Sequence, residues 1–285
     1  MPPLTRLQRY ALAGLGAAGG IAYYIYVRQN KKKVLASWTT NYSPPNFAKW
    51  DYNWDHREPK SLVKPLGNKI SPEDENKYNE ELVLAKPTAV RHLFLIRHGQ
   101  YNLKGKSDSE RRLTELGEMQ AKWTGKRLKE LKYPWTSMVV STLTRAQQTG
   151  HLILEAMTES KPMLVEHCPL LVEGAPIPPE PAIGHWRPEA TQFYQDGARI
   201  EAGFRKYFHR ADPDQKEDSY TMIVCHANVI RYFVCRALQF PAEAWLRLSL
   251  NHASITWISI QPSGRVILRV FGESGHIPAI QVTSQ

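Results

Sequence analysis

Apolar residues in this chain gather into short continuous blocks, and most blocks give way to a stretch with helical spacing. Leu93-Phe94-Leu95-Ile96 has the length of a strand buried on both faces, with the polar Arg97-His98-Gly99 placed where that strand would end. Leu113 opens a helical period that runs to about Leu131, with Thr114 as its N-cap and Pro134 beyond its end. Met138 to Thr142 predicts the next buried strand, followed at once by a helix with Arg145 in its first turn. Met163 to Glu166 reads as a further strand, Thr221 to His226 as a third clear one, and Asn228 to Leu238 as the helix after it. Ile255 to Ile260 and Val266 to Val270, joined through Pro262-Ser263-Gly264, predict a closing hairpin. Alternating strands and helices predict an α/β fold, a three-layer sandwich around a mostly parallel central sheet.

Upstream of residue 88 the pattern changes. Tyr10 to Val27 carries no charge and lies between Arg9 and Arg28, which predicts one membrane-spanning helix over about residues 10–27. Gly16 and Gly20 would let two such helices pack closely, and Tyr23, Tyr24 and Tyr26 form an interfacial belt. A cleaved signal peptide is the rival reading, and the basic, acid-free flanks also resemble a mitochondrial import signal. Residues 29–87 read as a linker interrupted by Pro44, Pro45, Pro59, Pro65, Pro72 and Pro87. Yet the linker holds Trp38, Trp50 and Trp54, more aromatic content than a solvated tail carries. Trp50-Asp51-Tyr52-Asn53-Trp54-Asp55 repeats Trp-Asp at a spacing of four, which on a helical turn would place both indoles on one side. Such a segment is expected to dock onto its own catalytic domain or onto a neighbouring subunit. Ser71 to Ala85 predicts a short polar helix, with Ser71 as N-cap ahead of Pro72. The expected organisation is therefore an anchor over 1–28, a linker with a docking segment over 29–87, and a catalytic domain over 88–285.

The net charge of +10 suggests nucleic acid until it is divided along the chain. Residues 1–50 hold seven basic residues and no acid, leaving 30 basic against 27 acidic residues in the rest, which is no nucleic-acid footprint. Cys168, Cys225 and Cys235 are odd in number and lack metal-ligand spacing, so neither a disulfide frame nor a structural zinc is expected.

Three predicted strands thus end in Arg97-His98, in Ser141 to Arg145, and in His226, on one edge of one sheet, where open α/β sheets bind ligands. A guanidinium beside an imidazole suits phosphoryl transfer, since Arg97 can hold phosphate oxygens while a neutral nitrogen of His98 attacks phosphorus. Gly99 is expected to let a ligand approach the backbone, and His252 to line the pocket, as is His185.

These residues resemble the histidine phosphatase (phosphoglycerate mutase) superfamily. The resemblance rests on Leu95-Ile96-Arg97-His98-Gly99, on Leu113-Thr114 through Gly117 to Gln120-Ala121, on Ser141 to Ala146 with Thr149, and on His226. It is closer to the branch of mitochondrial, membrane-anchored serine/threonine protein phosphatases. Shared features include the Trp-Asp segment, Glu173-Gly174-Ala175-Pro176-Ile177-Pro178-Pro179, Gly184-His185-Trp186, Asn228-Val229-Ile230-Arg231-Tyr232 and Asn251-His252-Ala253-Ser254-Ile255.

The resemblance implies a phosphoglycerate-mutase-like fold and phosphoprotein substrates. It also implies residence in a mitochondrial membrane, the outer favoured over the inner, and homo-oligomers built through Trp50, Asp51, Asn53, Trp54 and Asp55. His98 would be the nucleophile and Glu173 the general acid, while Arg97, Arg145 and His226 bind phosphate and His226 also takes part in catalysis. No metal and no cofactor are implied. Gln100, a further pocket position, and Gln148 depart from the family pattern, as does Cys225-His226-Ala227, whose added Cβ atoms are expected to restrict the backbone. A weakly active or inactive scaffold that binds phosphoproteins at the membrane stays open as the alternative.

Overall fold

The computed structural model describes residues 45–67, 71–157, 163–184, 186 and 188–284. The predicted span over residues 10–27 and His185 lie outside the described residues. Among those described, no helix is long and apolar enough to cross a membrane. The chain divides into two compact units, Met1–Trp50 and Asp51–Gln285. Of the first, the described part holds one short 3-10 turn, Asn46–Ala48. The second unit begins at Asp51, so most of the stretch expected as linker belongs to the same unit as the catalytic core.

Within that second unit a four-residue helix α1 (Pro59–Leu62) precedes α2 (Pro72–Leu84). The Ser71 hydroxyl caps α2 by accepting from the Asp74 N–H while the Asp74 carboxylate accepts from the Ser71 N–H, the reciprocal capping box. Then come β1 (Arg91–Arg97), α3 (Glu115–Glu130), β2 (Ser137–Ser141), α4 (Thr144–Ala156) and β3 (Leu164–Cys168). The chain continues as α5 (Ala190–Tyr207), β4 (Ser219–Cys225), α6 (Ala227–Ala237), β5 (Ile255–Ile260) and β6 (Val266–Glu273). The strand order is β3-β2-β4-β1-β5-β6. The first four strands run parallel, while β5 and β6 are antiparallel, so the sheet is mixed and the predicted hairpin forms its edge.

Alternation sorts the strand residues. Phe94 and Ile96 of β1, Met138 and Val140 of β2, and Met222 and Val224 of β4 share one core with Leu128 of α3 and Ala146 and Ile153 of α4. Each large apolar side chain so buried is worth about 1.5–3 kcal/mol. Leu93, Leu95 and Ile223 are as deeply buried on the opposite face. There α6 packs near β1, and Phe204 of α5 meets Phe233 of α6 at 5.9 Å between ring centroids.

The sequence reading had no counterpart for α5. Its buried positions Ile200, Phe204 and Tyr207 stand at i, i+4 and i+7, a helical stripe that Gly197 and Gly203 dilute. The Trp-Asp segment is a run of turns instead of the helical turn expected, because Asp51 and Asp55 fold back onto the backbone: their carboxylates accept from the N–H of Asn53 (2.8 Å) and of Arg57 (3.2 Å). Trp54 is buried, donates its indole N–H to the Gly264 carbonyl (2.8 Å), and lies 6.0 Å from Phe204. The Asp55 side chain is wholly enclosed and pairs with Arg210 at 2.7 Å, and Arg210 also donates to the Tyr52 carbonyl.

Candidate active site

Because β2, β4 and β1 are neighbours in the sheet, their carboxyl ends deliver Ser141, His226 and Arg97-His98 to one place. The ring centroids of His98 and His226 are 5.1 Å apart, and those of His98 and His252 5.7 Å. His98 is 2% exposed and His226 fully buried. Nδ1 of His98 lies 2.8 Å from the Gly99 carbonyl. A carbonyl can only accept, so Nδ1 holds the proton and Nε2 keeps its lone pair. Arg145 Nε donates to that Nε2 at 3.3 Å, and the Arg145 guanidinium stacks over Tyr101 at 4.7 Å.

Burial holds the His98 ring well below its usual pKa, with His226, Arg145 and Arg97 adding repulsion against a third positive charge. His98 is therefore neutral at pH 7, the form in which a histidine attacks. His226 is pushed down in the same way, by burial first and then by Arg145. Ser141 Oγ accepts from the Leu143 N–H (3.5 Å) and lies 2.8 Å from His226 Nε2. Nδ1 of His226 is buried without a protein partner. Arg97 Nε and His252 Nε2 are likewise buried without one. Buried polar atoms are paired in most proteins, so three unpaired ones around a neutral histidine mark a place made for an oxygen-rich ligand.

Glu173 follows a 3-10 turn at Pro169–Leu171 and, with Arg145, lines a cavity of about 420 Å³ that Tyr101, Asp108 and Asn228 also bound. His98 does not line this cavity but touches Arg145, which does. Burial raises the Glu173 pKa, and Arg145 opposes it only in part, so the carboxyl is biased toward its protonated form. The Glu173 loop is held by a clamp from α5 and α6: Arg199 donates to the carbonyls of Leu170 (3.2 Å), Val172 and Glu173 (3.2 Å), and pairs with Asp196. Asp196 in turn accepts from the Ala175 N–H (3.0 Å), and Asn228 donates to the Gly174 carbonyl (3.0 Å).

Two predicted pocket positions turn away from the site. A Cβ on Gly99 would fall against the Gly117 carbonyl, so glycine here admits the first turn of α3 instead of a ligand. Gln100 accepts the Thr114 hydroxyl at 2.8 Å and does not line the cavity. The added Cβ atoms beside His226 do not strain the chain, because His226 is extended (φ −129°) and Ala227 begins α6 with a helical backbone. Neither Cys225 nor Ala227 has a positive φ.

Sequence reasoning missed Tyr101, Asp108 and the Arg199–Asp196 clamp. Asp108 Oδ2 caps α4 from a distant loop by accepting from the Thr144 N–H (2.9 Å) and hydroxyl (2.7 Å), next to Arg145. Nothing in local spacing signals a cap supplied from 36 residues away.

The class follows from this sheet edge. Residues 93–272 match the Histidine phosphatase superfamily (branch 1), and the chain belongs to it. It is 55% identical to a Drosophila sechellia protein named "Serine/threonine-protein phosphatase Pgam5, mitochondrial", over 99% of this chain and 97% of that one. The Drosophila melanogaster protein of the same name is 54% identical over 96% of this chain and 94% of its own length. A solved phosphoglycerate mutase from Plasmodium falciparum is similar at a TM-score of 0.46 and 30% identity, covering 67% of this chain and 96% of that one.

Proposed function

We propose that this protein is a serine/threonine phosphoprotein phosphatase that works through a phosphohistidine on His98. The observation that carries the reading is the state of His98: neutral, enclosed, its Nδ1 proton committed to the Gly99 carbonyl and its Nε2 lone pair facing the Arg145 guanidinium. In the first step the Nε2–P bond forms as the P–O bond to serine or threonine breaks, and Glu173 gives its proton to the departing oxygen. In the second, water attacks phosphorus, Glu173 takes a proton back, and phosphate leaves neutral His98. Arg97, Arg145 and His226 hold the phosphoryl oxygens, the two guanidiniums supplying the positive charge that a metal supplies elsewhere.

Placement of the protein at a mitochondrial membrane, as a single-pass homo-oligomer with the outer membrane favoured, is part of the same proposal. It draws on the printed names of the fly relatives, the uncharged stretch 10–27 and the Trp50–Asp55 segment. The test is phosphate release from a phosphothreonine peptide by the full-length chain in EDTA, beside His98→Ala. Metal-independent turnover that falls by at least about 10⁴-fold in His98→Ala is the expected result. Binding of the phosphopeptide without any release would turn the reading to a phosphoprotein-binding scaffold.

A further inference from the structure

Residues 281–284 pack against Arg97 and His252. Arg97 Nη1 donates to two main-chain carbonyls, Leu250 (2.6 Å) and Ser284 (2.9 Å), while its Nε remains buried without a partner. A guanidinium loaded on one end in this way has its rotation fixed, and its remaining N–H groups form a preset fork. His252 is gripped twice by the same segment, its backbone N–H donating to the Thr283 carbonyl (2.8 Å) and its Nδ1 lying 2.8 Å from Thr283 Oγ1.

Gln120 Oε1 accepts from the Gln100 N–H at 2.9 Å, which fixes the amide so that Nε2 donates to the Gln281 carbonyl (2.7 Å) and to Thr283 Oγ1 (2.9 Å). The Thr283 hydroxyl thus accepts from Gln120 and also contacts His252 Nδ1 at 2.8 Å. His252 Nε2 stays buried without a protein partner. Burial first, and Arg97 nearby, pull the His252 pKa down to about 3, so the ring is neutral at neutral pH. Four residues, Gln281 to Ser284, thereby tie together the end of β1, helix α3 and the loop before β5. They do so through polar bonds and sit at least partly exposed, outside the apolar core.

We propose that Gln281–Ser284 is a positioning strap that holds Arg97 and His252 in place for an incoming phosphoryl group. The proposal rests on the phosphoryl-transfer reading of the site, and its test has an arm that needs no turnover. Tungstate binding to the full-length chain is measured by calorimetry for the native protein, Thr283→Val, Thr283→Ser and a chain ending at Val282.

Thr283→Val is expected to weaken tungstate by about 10-fold, the loss that follows one charge-assisted bond, and the shortened chain by more. Thr283→Ser, which keeps the hydroxyl, should bind as the native protein does. In turnover assays KM should rise in step with the binding loss, while the ratio of aryl to alkyl phosphate rates stays unchanged because the strap does not touch Glu173. In an Arg97→Ala background the shortening should cost less than in the native one, since the two share a partner. Unchanged or tighter tungstate binding in Thr283→Val and in the shortened chain would overturn the strap. So would an equal loss in the Arg97→Ala background. Should the shortened chain fail to fold, the Thr283 pair carries the test alone. A native chain that binds tungstate yet releases no phosphate defeats the phosphatase reading and leaves the strap to be decided by binding.

Discussion

Arg97 and Arg210 are both buried guanidiniums, and their surroundings differ in a way that separates reactivity from architecture. Arg210 is 1% exposed and paired: Asp55 takes its Nε and Nη2, and the Tyr52 carbonyl takes Nη2 again. Arg97 is 8% exposed, its Nη1 is tied to two carbonyls, and its Nε has no partner. The clamp around Arg210 pairs a buried charge with a buried countercharge, which fixes where the Trp54 turn lies on α5 and on the β5–β6 turn. The site around Arg97 gathers cations and neutral imidazoles with Glu173 as the nearby acid, an arrangement that becomes satisfied when an anion arrives. Unpaired buried groups lower stability, and here they sit where chemistry needs them.

The largest effect that would sharpen the comparison falls on the site. Glu173→Gln should slow alkyl phosphate monoesters by about 10²- to 10⁴-fold, the usual worth of a general acid, while leaving the melting temperature nearly unchanged. Aryl esters, whose leaving groups need little protonation, should slow far less. Equal slowing of both ester types in a steady-state assay would remove Glu173 from the acid role.

The next effect falls on the clamp and reads out in stability. Asp55→Asn strands Arg210 as a buried unpaired charge and should cost about 3–5 kcal/mol in denaturant unfolding. The rate per folded molecule should hold, because no clamp residue touches the phosphoryl site. A variant that kept its stability would show that the pair is dispensable and break the comparison.

The smallest effect per residue separates the two regions by pH. His98, His226 and His252 have folded pKa values below the ordinary 6.5, so below that pH the unfolded chain binds protons that the folded chain refuses. Stability is thus full above about pH 6.5 and is lost as pH falls, by up to about 1.4 kcal/mol per pH unit for each such group. Glu173, with its pKa raised, works the other way and offsets part of the loss in the window just above its ordinary value. At Asp55 burial pushes the pKa up, but the hydrogen bonds from Arg210 outweigh it and hold the carboxyl below 3.8. The clamp therefore keeps its contribution until the pH falls under that value. Chemical denaturation between pH 7.5 and 5 should show the decline, and His252→Gln should flatten its slope. An unaltered slope would mean that His252 titrates normally.

Much of this could be read from the chain. Leu93 to Ile96 had to be a strand buried on both faces, Thr114 and Ser71 had to cap helices, and Arg97, His98, Arg145 and His226 had to meet once three strands lay parallel and adjacent. Those inferences rest on periodicity and capping, which act over a few residues and leave a local signature. Helix α5 escaped because Gly197 and Gly203 weaken its stripe, although its packing on α6 makes it secure. The Glu173 loop could be located, but the Arg199–Asp196 clamp that steadies it could not.

The amino-acid sequence by itself determined the strand-ending motifs, the helix caps and the identity of the reactive side chains. Tertiary structure alone decided three things. Gly99 yields its space to α3, Asp108 caps α4 from a distant loop, and Thr283 anchors His252. Each depends on groups far apart in the chain meeting at hydrogen-bond distance, and the pairing of such groups is fixed only when the whole fold has closed.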